Sequence, residues 1–394
     1  MSAAATAAEP VRTLPAWTYR SAAFFRAEQE AVFRRSWLLI GHAAQLRRPG
    51  DYVSQTIAGE PLAVVRGEDG ELRAFSNVCR HRGARVLDGA GTCGKALRCP
   101  YHGWTYGLDG RLLGVPERSG FARLVKDENG LWPLRCAELA GFVFVSLAGD
   151  PEPLERELPG FAERIAPFRP ELLVEYARGQ DLLPLNWKNV VDNYLEGYHI
   201  PVGHPGLLRL LDYKRYTVET TDAKVSYARS PLRAKASRNL QERLYQRLVR
   251  PMPGVEGDDA ETWSYIFAFP AMTWNLYPDQ IDSWCVYPLD ERRTLAVWRS
   301  YRPPERSGLR DRLVRRLNFR LNSLVMDEDN ELCARVQDGL GSSLYRAGVL
   351  NAARENGLKH FHDHIREAVP AALHDDESDG LGALAAPEAG VEAP

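Results

Sequence analysis

The sequence predicts an α+β protein in which an all-β domain is inserted into a larger domain of helices and an antiparallel sheet. From residue 37 to 148, short runs of alternating apolar and polar residues are separated by turn residues, which is typical of antiparallel strands. Beyond Pro151, stretches with helical periodicity alternate with strand-like runs. A chain of 394 residues, 44% of them hydrophobic, is long enough to bury two cores.

The all-β domain is predicted at 37–148 from its hairpins. Residues 62–66 and 71–75 are strand-like and are joined by Glu68-Asp69-Gly70, a turn sequence that favours a hairpin. A second turn, Asp109-Gly110, follows the strand-like run that begins at Trp104.

The larger domain is predicted to combine residues 15–36, a short helical lead, with residues 149–374. Apolar periodicity predicts helices near 153–166, 186–199, 237–250, 308–323 and 326–340. Strand-like runs are found at 213–228, 263–269, 282–289 and 294–301. The close succession of the last three runs indicates antiparallel pairing.

Both ends of the chain are predicted to be flexible tails. Residues 1–14 and 375–394 are rich in Ala, Gly, Glu and Pro and have little apolar periodicity. The sequence contains no apolar run of about 18 residues and no apolar stretch typical of a signal peptide, so we expect a cytoplasmic protein. Fifty basic against 52 acidic residues give a net charge of −2, which provides no general attraction to nucleic acid or to an anionic membrane.

Two Cys/His pairs form the first candidate metal site. Cys79 is separated from His81 by one residue, and Cys99 is separated from His102 by two. Two thiolates and two imidazoles can hold either a tetrahedral zinc or a [2Fe-2S] cluster in which one iron has two Cys ligands and the other two His ligands. Zinc sites usually space their ligands by two to four residues within each half, so the spacing favours the cluster over zinc.

The remaining cysteines and a group of C-terminal histidines are not assigned to a metal site. A free cysteine is most often a small buried hydrophobe, which is the interpretation chosen for Cys93, Cys136, Cys285 and Cys333. The alternating histidines His360, His362 and His364 lie in a polar region, where a solvated face is expected.

His199 and His204 form the core of a second candidate metal site. The segment from Asn186 reads as a helix that is stopped by Pro201. On a continuous helix two residues five apart would diverge by about 140°, so a chain break is needed if both histidines are to bind one ion. Glu196 lies three residues before His199 and can orient that ring by a hydrogen bond.

A carboxylate is needed to complete this site. The helix predicted from residue 326 offers four acidic residues, and the residue pattern alone does not choose among Asp327, Glu328, Asp329 and Glu331. Two histidines and one carboxylate on one face of an iron leave positions open for O2, the arrangement of non-haem Fe(II) oxygenases.

Both motifs together resemble the large (alpha) subunits of Rieske aromatic-ring-hydroxylating oxygenases. The resemblance covers residues 20–365 and rests on the two Cys/His loops and on the Asp192-Asn193-x-x-Glu196-x-Tyr198-His199-x4-His204 string that follows Asn186-Trp187-Lys188. The family's acidic pair and later Gln-x-Gly match Glu328-Asp329 and Gln337-Asp338-Gly339. This alignment implies Asp329 as the third iron ligand and a Rieske domain inserted into a helix-grip (START-like) catalytic domain.

The resemblance also implies the cofactors and the working assembly. A [2Fe-2S] cluster on Cys79, His81, Cys99 and His102 would pass electrons to a mononuclear Fe(II) on His199, His204 and Asp329. Because the two metals of one chain are too distant in this family, transfer runs between subunits of a homotrimer, with Glu196 bridging His199 and the cluster ligand His102 of the next subunit. Asn193 would stand near the iron without binding it.

The implied function is that of the terminal oxygenase in a multicomponent system. The chain has no dinucleotide-binding fingerprint, so electrons from NAD(P)H are expected to arrive through a separate reductase, with or without a ferredoxin. A small β subunit is a possible further partner. Two other classes fit the first motif alone: a Rieske electron carrier and a zinc-binding regulatory protein.

Two substrate classes are compatible with the sequence. Family frequency favours hydroxylation of an arene or aromatic acid in aromatic hydrocarbon catabolism, by mono- or dioxygenation. Glu196 departs from the Asp that is common in ring-hydroxylating members and resembles the branch that hydroxylates and N-dealkylates quaternary ammonium compounds. Ten aromatic residues between 263 and 301 fit either substrate, and alternate members should face the pocket.

Overall fold

The computed structural model describes residues 10–385, and the structured part extends further at both ends than the sequence predicts. Leu14, placed in the expected N-terminal tail, is completely buried, and Thr13 donates its backbone N–H to the carbonyl of Gly348. At the other end, Glu377–Ala385 forms a helix that packs on the N-terminal segment. The remaining tail residues, 1–9 and 386–394, lie outside the described residues.

The first domain is built from ten strands. They are β1 (Trp37–His42), β2 (Asp51–Ile57), β3 (Glu60–Arg66), β4 (Leu72–Ser76), β5 (Ala90–Thr92), β6 (Ala96–Arg98), β7 (Thr105–Gly107), β8 (Leu112–Gly114), β9 (Pro133–Leu139) and β10 (Phe142–Ser146). Seven form a sheet in the order β1-β10-β9-β4-β3-β2-β5, and β6, β7 and β8 form a second, three-stranded sheet. Both predicted hairpins, β3–β4 and β7–β8, are present.

The second domain contains one seven-stranded sheet in the order β11-β17-β16-β15-β14-β13-β12, and all its pairs are antiparallel. Its strands are β11 (Val174–Leu183), β12 (Thr217–Thr220), β13 (Val225–Pro231), β14 (Thr262–Ala268), β15 (Met272–Tyr277), β16 (Gln280–Pro288) and β17 (Thr294–Arg302). The single strand predicted at 213–228 is therefore a hairpin. The α+β class with an inserted all-β domain is confirmed.

Ten α-helices lie within the described residues. They are α1 (Ala22–Ala31), α2 (Leu154–Glu157), α3 (Phe161–Ile165), α4 (Trp187–Tyr194), α5 (Ile200–Gly203), α6 (Pro205–Leu210), α7 (Leu240–Leu248), α8 (Leu309–Gly339), α9 (Asn356–Ala368) and α10 (Glu377–Ala385). The prediction of two helices at 308–323 and 326–340 was wrong. No Gly or Pro separates them in the sequence, so nothing ends the helix before Gly339.

The first domain packs directly on the seven-stranded sheet of the second domain, called the catalytic sheet below. The backbone N–H of Leu39 on β1 contacts the sulfur of Met272, and the Tyr287 hydroxyl donates a hydrogen bond of 2.5 Å to the Leu39 carbonyl. Arg299 on β17 donates to the carbonyl of Ile40 at 3.1 Å. One apolar core therefore continues from the first domain into the second.

Among residues 10–385, no helix is both long enough and apolar enough to cross a membrane.

Candidate active site

His199, His204 and Asp329 come together at one point of the second domain. The Nε2 atoms of the two histidines are 3.0 Å apart, and Asp329 Oδ1 lies 2.8 Å from His204 Nε2 and 3.6 Å from His199 Nε2. Donors at about 2.1 Å from an ion and about 90° apart are separated by about 3.0 Å. The three side chains therefore fit one face of a single metal ion, as the facial arrangement predicted from the sequence requires.

A chain break after α4 allows both histidines to face the same point. The helix is capped by Asn186, ends at Tyr194 and is followed by an irregular stretch through Glu196. The short helix α5 then begins after His199 and ends before His204. The predicted break exists, but Pro201 does not cause it, because Pro201 occupies the first turn of α5, where its missing N–H costs no hydrogen bond.

Each metal-facing histidine is held from behind by a carboxylate. Glu196 Oε1 contacts Nδ1 of His199 in a short hydrogen bond, and Glu328 Oε2 lies 2.7 Å from Nδ1 of His204. Such contacts hold the proton on Nδ1 and leave Nε2 free to bind a metal. Burial opposes protonation of His204, yet the hydrogen bonds that its ring can donate to the Asp329 and Glu328 carboxylates raise its pKa above the ordinary value, so the site favours positive charge.

The four acidic residues of the late helix have different positions. Asp329 alone points its carboxylate at both histidine Nε2 atoms, whereas Glu328 turns to Nδ1 of His204. Asp327 is exposed, and Glu331 forms an exposed pair with Arg335 one turn later. From the sequence, Glu328 was only one of four alternative ligands. Its contact with Nδ1 of His204 was not predicted.

Asn193 lies beside Asp329. Its Nδ2 donates a hydrogen bond of 2.6 Å to Asp329 Oδ1, the oxygen that faces the histidines. An amide donor at this distance fixes the rotamer of the carboxylate. The structure therefore places Asn193 next to His199, His204 and Asp329 and not among the three donor side chains.

A buried polar network supports α4 from the opposite side. His362 is completely buried and contacts Asp192 Oδ1 at 3.0 Å, and Tyr19 donates to Asp192 Oδ2 at 2.6 Å. Lys188, also buried, lies 2.7 Å from Glu28 on α1. The expectation of a solvated face for His362 was wrong, because α9 packs that histidine against α4. The N-terminal segment and α9 thus hold the helix that leads into the iron site.

The two Cys/His loops of the first domain have the same backbone design. The N–H of Cys79 donates to the carbonyl of Ala84, and the N–H of Gly83 donates to the carbonyl of Cys79. In the second loop the N–H of Cys99 donates to Trp104 and that of Gly103 donates to Cys99. The glycines have φ values of 74° and 71°, a left-handed conformation that disfavours other residues.

The four predicted cluster ligands converge at the tips of these loops. The Cys79 and Cys99 thiols are buried, the pKa of Cys79 is raised by burial and also by the neighbouring Cys99, and the rings of His81 and His102 are 4.6 Å apart. His81 Nδ1 is buried with no hydrogen-bond partner, as expected of an atom that binds a metal. Tyr106 approaches the Cys79 sulfur at 3.2 Å. The donor set therefore fits a [2Fe-2S] cluster with Cys ligands inside and His ligands outside, where His102 is exposed.

A cavity of about 660 Å³ opens beside the three metal-facing side chains. It lies between α4, α8 and one face of the catalytic sheet. Five of the ten aromatic residues from the 263–301 region line it: Trp263, Tyr265, Tyr277, Trp284 and Trp298. Strand alternation alone does not select them, because Phe267 shares the face of Trp263 and Tyr265 and does not line the cavity. The other five are buried in the cores: Phe267, Phe269, Trp274, Tyr287 and Tyr301.

The cavity wall also contains a carboxylate that the sequence did not indicate. Asp282 on β16 lies opposite Asn275 and Ser300 on the neighbouring strands, and Gln280 Nε2 donates to its two oxygens at 2.9 and 3.1 Å. Distance from bulk water raises the pKa of Asp282 to about 7. The sequence signal that could have indicated Asp282 is an acidic residue within a strand that also carries aromatic residues.

Comparison with known proteins assigns both domains. Residues 36–127 match the Rieske [2Fe-2S] domain, and residues 163–371 match the ring hydroxylating alpha subunit (catalytic domain). The carnitine monooxygenase oxygenase subunit of Escherichia coli (strain K12) is 33% identical over 366 residues, covering 90% of this chain and 93% of that protein. The chloroplastic choline monooxygenase of Beta vulgaris is 30% identical over 375 residues, covering 92% and 78%.

Solved structures show the same architecture. A quaternary ammonium Rieske monooxygenase in complex with L-carnitine has a TM-score of 0.78 and 28% identity, covering 91% of this chain and 96% of that one. Naphthalene 1,2-dioxygenase with bound indole has a TM-score of 0.73 at 21% identity, covering 94% of each chain, a likeness that concerns the fold alone. The chain therefore belongs to the Rieske non-haem iron oxygenases, as an alpha-type subunit whose Rieske domain carries a [2Fe-2S] cluster and whose catalytic domain carries a mononuclear iron.

Proposed function

We propose that this oxygenase hydroxylates a quaternary ammonium compound, using O2 and electrons that a separate NAD(P)H-dependent reductase delivers. The observation that carries the proposal is the cavity beside His199, His204 and Asp329, which combines aromatic walls with the half-buried carboxylate Asp282. Aromatic faces attract quaternary ammonium groups by cation–π interaction, and a carboxylate adds the opposite charge. Relatives named as carnitine and choline monooxygenases support this substrate class over an arene.

The residues divide the chemistry between two places. In the first domain Cys79, Cys99, His81 and His102 would hold the cluster, and in the second domain His199, His204 and Asp329 would hold the iron. When bound, the cluster supplies single electrons and the iron supplies the activation of O2.

The residues around the iron site orient its ligands. Glu196 and Glu328 keep the protons of the two histidines on Nδ1, so both Nε2 atoms remain available to the metal. Asn193 holds the Asp329 carboxylate by its amide. The aromatic walls exclude water from the reacting part of the substrate, since five rings line the cavity.

A homotrimer with electron transfer between subunits is part of the proposal. Apolar side chains are exposed next to both metal sites, with Tyr101 57% exposed on the cluster loop and Tyr198 and Val202 55% and 88% exposed on the iron loop. Exposed apolar residues that form a contiguous patch mark surfaces that another protein covers, and we propose that Tyr198 and Val202 belong to such a patch. A solved relative is described as showing inter-subunit electron transfer. Glu196 would then link His199 to the partner's cluster.

A substrate screen with an artificial electron donor in place of the reductase tests the proposed activity. Oxygen uptake and product mass are measured for trimethylammonium compounds, arenes and aromatic acids. The proposal expects an oxygenated or N-dealkylated product from a trimethylammonium compound. The second candidate, ring hydroxylation, is favoured by the stacking surfaces of the same five rings, and a hydroxylated arene without any trimethylammonium turnover would replace the first proposal by it.

A further inference from the structure

The substrate cavity is strongly one-sided in charge. Five carboxylate residues line it, and no Lys or Arg of the described chain does. The acidic residues are Asp181, Glu196, Asp282, Asp327 and Asp329. The charge of a bound iron would be balanced locally by Asp329 and by the two carboxylates behind the histidines. An anionic group on a substrate would therefore lose its hydration without gaining a cationic side chain.

Asp282 is the acidic residue that is not engaged by the metal centre or by bulk solvent. It is half-buried and lines the cavity wall. The groups that influence its ionisation are Ser300, Gln280 and Asp279, none of which is a cation. A buried carboxylate without a cationic partner is costly, so its position is explained if a bound ligand supplies the positive charge.

Aromatic rings surround this carboxylate. Trp284 lies two residues further along the same face of β16, and Tyr176 and Tyr277 are near enough to Asp282 for its charge to raise their pKa values, although burial is the larger cause. Arg315 lies 5.0 Å from the centre of the Tyr176 ring and is not part of the cavity lining. A carboxylate between rings is the environment expected for an alkylated ammonium group.

Resting on the proposed function, we infer that Asp282 is the counter-ion of the substrate's ammonium group and that the natural substrate is a monocation without a carboxylate. A trimethylammonium alcohol fits this description, because its hydroxyl can use neutral polar groups such as Asn275. A trimethylammonium carboxylate does not fit, because its acidic end would meet the acidic wall.

Direct binding to the holoenzyme tests this inference independently of turnover. Isothermal titration at pH 8 compares choline with its uncharged isostere 3,3-dimethylbutan-1-ol and with L-carnitine. We expect choline to bind at least about tenfold more tightly than either of the others, since each lacks one of the two required features. Equal or tighter binding of L-carnitine would overturn the inference.

A variant pair locates the effect. Asp282→Asn keeps the shape and should bring the affinities for choline and for the isostere within about twofold of each other, and a control, Asp222→Asn, changes an exposed carboxylate at the turn between β12 and β13 and should keep the tenfold preference. A preference for choline that survives in Asp282→Asn would assign the counter-ion role elsewhere. Thermal unfolding of both variants verifies that they are folded.

Different results would contradict the proposed quaternary ammonium activity and the proposed role of Asp282. Binding and turnover of carnitine-like carboxylates at least as good as those of choline would leave the quaternary ammonium activity standing and remove the charge inference. Absence of binding by every trimethylammonium compound, together with turnover of an arene, would remove the proposed function itself.

Discussion

Glu328 and Glu331 are neighbours on α8 with different surroundings. Glu328 lies behind the metal-facing His204, whereas Glu331 pairs with Arg335 in solvent. We predict that Glu328→Ala lowers iron affinity by about 10–100-fold, the usual effect of removing a group that orients a metal ligand. Glu331→Ala is the matched control and should keep wild-type affinity. Chelator competition measures both, and equal affinities in the two variants would contradict the role of Glu328.

Asp282 predicts a pH dependence for cationic substrates. Its pKa is raised to about 7 by burial, and the charged or titratable groups near it are Asp279, Tyr176 and Tyr277. Because only the carboxylate attracts an ammonium group, kcat/KM for choline should be constant above about pH 7 and fall below it to a plateau about tenfold lower, the preference that the carboxylate is expected to contribute. The acidic limb should vanish in Asp282→Asn, and an identical limb in that variant would refute the assignment.

At the residue scale, the sequence was sufficient for groups that occur in motifs. Cys79, His81, Cys99 and His102 were proposed from spacing, and the two histidines of the second site from spacing together with the family motif, because in each case the donor residues lie close along the sequence. Asp282 and the burial of His362 were not predictable, because each depends on which elements pack against a single residue. Periodicity reports that a strand alternates, but it does not report which face meets a cavity.

The loop between α4 and α5 carries Glu196 and His199 and so positions one of the proposed iron ligands. Gly197 lies in this loop, and a Cβ there would be 2.7 Å from the ring of Tyr216, which is buried. We predict that Gly197→Ala destabilises the fold by about 1–3 kcal/mol and lowers iron content, because the loop that carries Glu196 and His199 must shift. Thermal unfolding and metal analysis measure the two effects.

A control for that prediction lies in the next helix. In Gly206→Ala the new Cβ would meet its nearest atom, an oxygen of Glu242, at 3.6 Å, an ordinary contact. This variant should keep its stability and its iron. Equal behaviour of Gly197→Ala and Gly206→Ala would show that the tight packing at Gly197 is not needed.

At the element scale, hairpins and the long sheet were predictable, and helix ends were not. Turn sequences such as Glu68-Asp69-Gly70 mark a hairpin locally. The end of α4 at Tyr194 has no such marker directly after it, since neither Leu195 nor Glu196 disfavours a helix. The same limit explains the wrong division of α8, where an apolar pattern changed without any helix breaker.

At the scale of the whole molecule, electron transfer between subunits predicts complementation. Cys99→Ala removes a proposed cluster ligand, and His199→Ala removes a proposed iron ligand, so each variant alone should be inactive. Co-expressed with separate tags and purified as mixed trimers, they should regain up to about a quarter of wild-type activity under random mixing, since an intact iron then meets an intact cluster of a neighbour. Mixed trimers without activity would contradict transfer between subunits.

We propose that one chain builds two separate iron sites, a [2Fe-2S] cluster site and a mononuclear iron site. Metal analysis of the wild type and of His199→Ala tests this most directly. The wild type should contain about three irons and two acid-labile sulfides per chain, and His199→Ala should contain about two of each with the visible absorption of the cluster unchanged. Three irons in the variant, or loss of sulfide together with iron, would contradict the assignment of His199 to a centre of its own.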